Sequence, residues 1–134
     1  MTIIADTNKL FSAALSKNGK VAQTLFSDEY TFIVPHFTMM ELFKYKNKLI
    51  HLTKQTEVEV LETLYLLLLQ VSFYNEKSLS LEARQLAYDL CKDVDLKDAV
   101  FVALSLELNA PIWTGDKKLK KGLINKGFTN FFED

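Results

Sequence analysis

Cysteine is almost missing from this chain: Cys91 is the only one, so no internal disulfide can form. Only two histidines are present, His36 and His51, which excludes a zinc site built from histidine and cysteine. No excess of either charge exists, since the formal net charge is -1. That argues against holding nucleic acid by bulk electrostatics and leaves room for a local basic patch. The longest apolar stretch, Leu64 to Leu69, is far too short to span a bilayer. The start is strand-like and has no basic leader, so a soluble cytoplasmic protein is expected. Gly and Pro are scarce, 4 and 2, and no repeat or low-complexity linker interrupts the pattern. At 134 residues the expectation is a single domain over 1–134, long enough to bury a core.

The hydrophobic pattern supplies an element order. Thr2 to Ala5 reads as a short buried strand, and Thr7 to about Lys17 as a helix with Leu10, Phe11, Ala14 and Leu15 at helical spacing. Asn18-Gly19 stops it, and a second helix carries Val21, Ala22, Leu25 and Phe26. Thr31 to Val34 is the next strand. Thr38 is placed to cap one helix running through Glu41, Leu42, Phe43, Leu49 and Ile50. Thr53, Thr56 and Glu57 mark another start, with that helix reaching about Gln70.

Val71 to Tyr74 is strand-like, or a weaker continuation of that helix. Ser78 to Ser80 opens a helix to Leu90, Leu96 to Leu108 is a further helix, and Asn109 stops it. Pro111 to Thr114 is a strand, Asp116 to Lys121 a short helix, and Phe128 to Phe132 a candidate edge strand. Such alternation predicts an α/β fold, a parallel sheet with helices on both faces.

Four acids stand out within this order. Asp6 and Asp116 each follow a predicted strand, where an open α/β sheet forms its ligand crevice. Each could instead favour the helix that follows it, but the pair, both after strands, favours a site. Glu41 lies among Met40, Leu42 and Phe43, which points to an inward-facing rim. Asp98 begins the apolar repeat of its helix, while Asp93 or Asp95 could cap it. Asp28, Asp89, Glu133 and Asp134 read as solvated surface. Crowded carboxylates call for a hard divalent cation, Mg²⁺ or Mn²⁺, because such ions prefer oxygen ligands.

Ile3-Ile4-Ala5-Asp6-Thr7-Asn8, Met39-Met40-Glu41-Leu42, Asp95-Leu96-Lys97-Asp98-Ala99 and Trp113-Thr114-Gly115-Asp116 together resemble the PIN-domain family of metal-dependent ribonucleases. The resemblance spans essentially the whole chain. It implies a three-layer α/β/α domain with a five-stranded parallel sheet in the order 3-2-1-4-5, and one or two Mg²⁺ or Mn²⁺ ions. It further implies cleavage of single-stranded RNA by an activated water. Many bacterial and archaeal members are homodimeric toxins of VapC-type toxin-antitoxin pairs.

By that resemblance Asp6, Glu41, Asp98 and Asp116 are the catalytic, metal-holding acids. Asn8 and Thr114 are their polar supports, and Asp95 is a candidate accessory ligand. Lys44, Lys46 and Lys48, and Lys117, Lys118, Lys120 and Lys121, flank these acids and suit RNA phosphates, though such runs are commonly just solvated. Trp113, Tyr45 and Phe37 could stack bases, with core or rim packing the stronger reading. A non-catalytic PIN-like module binding RNA or protein is the alternative. A haloacid-dehalogenase-like phosphatase is not, because it needs an Asp where Asn8 stands.

Overall fold

The computed structural model describes residues 1–134. β1 (Thr2–Ala5) is apolar on both faces: Ile3 and Ala5 enter one core, Ile4 the other. A strand buried on both sides needs a continuous apolar run rather than an alternating one. β2 (Thr31–Pro35), β3 (Val71–Tyr74) and β4 (Ile112–Trp113) complete a sheet in the order β3-β2-β1-β4, with every pair parallel. Ile4 lies opposite both Ile33 and Ile112, and Ala5 opposite Trp113, so β1 is central and its end sits beside that of β4.

The fifth strand expected at Phe128 to Phe132 reduces to a single parallel bridge between Phe131 and Ile112. Only Ile112 offers backbone groups to it, donating to Asn130 (3.0 Å) and accepting from Phe132 (2.9 Å). The partner strand β4 is two residues long and is preceded by Pro111, which has no N–H to give. A tight turn, Phe131 N–H to Thr129 C=O at 2.9 Å, curls the tail as well. The order 3-2-1-4 is as expected, and the tail marks the fifth position.

One face is covered by α1 (Thr7–Leu15), α2 (Lys20–Leu25), α4 (Lys46–Thr53) and α5 (Glu57–Leu69), which bury Leu10, Leu25, Leu49, Val60, Leu64 and Leu67 with Phe32 and Trp113. The other carries α6 (Leu81–Cys91), α7 (Ala99–Leu108) and α8 (Lys117–Asn125), with Val102, Leu104, Leu119 and Leu123 on Ile4 and Ile112. α3 (Phe37–Lys44) touches both cores: Leu42 joins the first and Phe37 packs against the second. Cys91 is buried in the second core, and burial pushes its thiol up to about 11, which keeps it inert.

Three local readings are corrected. The single helix expected from Thr38 through Ile50 is two, broken at Tyr45 (φ -92, ψ 7), whose ring packs edge-on against Phe11 at 5.8 Å. The break turns α4 so that Leu49 reaches the core. Thr38 caps nothing. It lies inside α3, and the helix start is held instead by Glu76, whose two carboxylate oxygens accept from His36 N–H (3.0 Å) and Phe37 N–H (2.9 Å). The helix expected from Leu96 begins as a 3-10 turn, Leu96–Asp98, that Asp95 caps, before α7 proper. Asn109 stops α7 in the left-handed region, φ 50, as expected.

Candidate metal centre

The acids come from four different elements. Asp6 ends β1 and caps α1: one oxygen accepts from Lys9 N–H at 3.0 Å, and the other accepts from the Thr114 hydroxyl. Thr114, just past β4, also accepts from Asp116 N–H at 3.1 Å. Asp116 in turn caps α8 through Leu119 N–H at 3.0 Å. The capping reading of both acids is therefore correct, and it does not compete with a site. Capping fixes the carboxylates at the carboxyl end of the sheet, where ligands bind in open α/β folds.

Asp6, Glu41, Asp95, Asp98 and Asp116 line one cavity of about 370 Å³, together with Thr7, Asn8, Phe37, Tyr45, Lys97 and Phe101. The crowding shows in the protonation of the acids. Burial, followed by the charges of Asp95, Asp6, Asp116 and Glu41, pushes the Asp98 carboxyl up to about 7. Burial raises Asp6 as well, against the opposing pull of its Thr114 and Lys9 hydrogen bonds. A cation would relieve both.

An ion in this cavity would have to keep part of its water shell. No three acid, histidine or cysteine side chains converge tightly enough to cage a metal by themselves. Mg²⁺ keeps several waters and binds through one or two carboxylates, so an all-oxygen, loosely spaced set suits it. All the donors are oxygens, the kind that hard divalent ions prefer, and they offer nothing to a soft metal.

Of the two residues expected to support the acids, Thr114 hydrogen-bonds Asp6. Asn8 borders the cavity but makes no side-chain hydrogen bond and is exposed. Thr7 does bond one of the acids: its hydroxyl donates to Glu41 at 2.7 Å. Thr7 lies inside the Asp-Thr-Asn run, and its burial, 4% exposed, was the missing signal. Asp95 lines the cavity while capping Lys97 N–H at 3.0 Å. Asp93 caps nothing and pairs with Lys126 at 3.1 Å on the surface.

Of the lysines, Lys44, Lys117 and Lys118 are exposed and unpaired, whereas Lys46 is tied to Glu57 at 2.9 Å, Lys48 lies over Phe11 and Lys120 pairs with Glu133. Trp113 is core, 1% exposed between Phe32 and Phe132, so it stacks no base. Phe37 and Tyr45 are rim residues, packed on Phe101 and Phe11.

The fold is shared with solved structures. VapBC2 from Rickettsia felis, bound to a DNA fragment from their promoter, matches with a TM-score of 0.65 at 15% identity, over 90% of this chain and 92% of that one. VapBC-1 from nontypeable Haemophilus influenzae matches with 0.63 at 19% identity, over 93% and 94%. No curated protein matches the chain in sequence. The sequence model of the PIN domain matches residues 4–130, from the second isoleucine of β1 to the turn before Phe131. The chain belongs to the PIN-domain family.

Proposed function

We propose that this protein is a Mg²⁺- or Mn²⁺-dependent endoribonuclease that hydrolyses single-stranded RNA. The observation that carries the reading is the convergence of Asp6, Glu41, Asp98 and Asp116 on one cavity at the carboxyl end of a parallel sheet. These four would hold the ion. A bound divalent cation would supply charge neutralisation to the phosphodiester and acidity to water.

The chain's own part is positioning. Asp6 directly follows β1, Asp116 lies just beyond the neighbouring β4, and both are fixed by caps and by Thr114. Glu41 is fixed by Thr7. Lys117 and Lys118 open α8, the end of a helix that disfavours cations. Their placement costs stability and is accounted for by an anionic substrate beside Asp116. Lys44 would contact phosphate on the other side; Lys46, held by Glu57, would contribute less.

The biological reading is a cytoplasmic VapC-type toxin that acts as a homodimer and is restrained by a protein antitoxin. Likeness of fold to two VapBC assemblies supports it. No helix is long and apolar enough to cross a membrane.

The test is cleavage of a labelled single-stranded RNA with Mg²⁺ or Mn²⁺ and with chelator. Asp6→Asn and Asp116→Asn should each abolish cleavage while circular dichroism stays unchanged. Full cleavage by either folded variant overturns the assignment, and RNA binding without any cleavage favours a non-catalytic module.

A further inference from the structure

We infer that Thr7 and Thr38 form a hydroxyl chain that sets the orientation of Glu41, which makes Thr7 a positioning residue of the acidic cavity; the inference rests on the metal-dependent reading above. Thr7 follows Asp6 directly and opens α1, while Thr38 lies on α3 one turn before Glu41. Thr7 Oγ1 is 2.7 Å from Glu41 Oε1 and 3.1 Å from Thr38 Oγ1. An ionised carboxylate only accepts, and a hydroxyl has a single proton to give. The direction is therefore set: Thr38 donates to Thr7, and Thr7 donates to Glu41.

Burial makes the chain specific. Thr38 is 0% exposed, so water cannot stand in for its partner. Thr38 is the second residue of α3, with no helical turn before it to bond, and its hydroxyl reaches across to α1. Glu41 is a long, flexible side chain on a half-exposed helix face, and left alone it would spread over several rotamers. With Oε1 held, Oε2 has no protein partner and is free for a ligand. Because Thr7 adjoins Asp6, the same contact locks the acid of α3 to the acid of β1.

The test compares wild type with Thr7→Val, Thr7→Ser and Thr38→Val, by crystal structure and by calorimetric titration with Mn²⁺. Removing a partner that orients a metal-holding group costs about 10- to 100-fold in affinity. We expect Thr7→Val to release Glu41 from its rotamer and lose affinity in that range, Thr7→Ser to restore both, and Thr38→Val to give a smaller loss. In a Glu41→Gln background Thr7→Val should add nothing further. Glu41 unmoved in the Thr7→Val crystal, or an equal added loss in the Gln background, overturns the proposal. If Thr7→Val fails to fold, the same two comparisons are made on Thr38→Val. If Glu41 turns away but wild type binds no Mn²⁺, the positioning role stands and the metal-dependent reading falls.

Discussion

Thr114 donates its hydroxyl proton to the Asp6 carboxylate across 108 residues of chain. The same oxygen accepts the backbone N–H of Asp116. One buried side chain thus joins the Asp6 carboxylate, just after β1, to the backbone of Asp116, just beyond the neighbouring β4. Thr114→Val keeps the shape and removes the donor, leaving a buried carboxylate oxygen unpaired. The expected cost is about 1–3 kcal/mol in urea unfolding, with most of the metal-dependent cleavage lost. Thr114→Ser should recover both.

Asp98 makes stability fall as pH rises. Its pKa is about 7 in the folded protein against 3.8 for the free group. The native state therefore holds a proton the unfolded chain has released, and stability drops with pH across that window. The favourable contribution is complete below 3.8 and gone once pH passes about 7. Asp6, also raised by burial, acts with the same sign. Urea melts of metal-free protein at several pH values should trace this decline, and Asp98→Asn should flatten it and be at least as stable as wild type at pH 7.

Glu76 acts with the opposite sign. Burial opposes its ionisation, but backbone amides, those of Phe37 and His36 among them, hold the carboxyl below its usual 4.5. Its stabilisation is present above 4.5 and lost as pH falls through the lower folded value. Glu76→Ala removes the acceptor for two amides at the start of α3, and should cost about 1–2 kcal/mol in thermal melts. Glu41, on the same helix, should lose order with it.

Asp93 and Asp98 are five residues apart and should behave very differently. Asp93 pairs with Lys126 in the open, where such pairs contribute about 0–1 kcal/mol. Asp93→Asn should cleave RNA like wild type, while Asp98→Asn loses most activity. The reverse ranking in a side-by-side assay would mean that the third acid is misplaced.

Much of this was legible in the sequence because strand burial and strand-end acids are local signals. The run Ile3-Ile4-Ala5 is apolar on both faces, which already read as a buried strand, and Asp6 follows it in the chain. What stayed hidden was set by distant contacts. Nothing around Thr38 says that Glu76, far along the chain, will cap α3, or that Thr38 will turn inward to Thr7. The break at Tyr45 follows from packing on Phe11 and has no glycine or proline to announce it. The tail has strand-like aromatics at Phe128, Phe131 and Phe132, but its pairing is limited by a two-residue neighbour that periodicity could not measure.

Thermal unfolding with and without Mn²⁺ tests the central claim most directly, because it asks whether the acid cavity binds an ion without relying on a substrate. At a hundredfold excess over the dissociation constant the ion should stabilise wild type by about 2.7 kcal/mol. It should do far less for Asp6→Asn or Asp116→Asn, and both variants should match or exceed the metal-free wild type at pH 7. Variants that gain as much from Mn²⁺ as wild type does would contradict the account: the acids would then serve the fold through their caps and hold no metal.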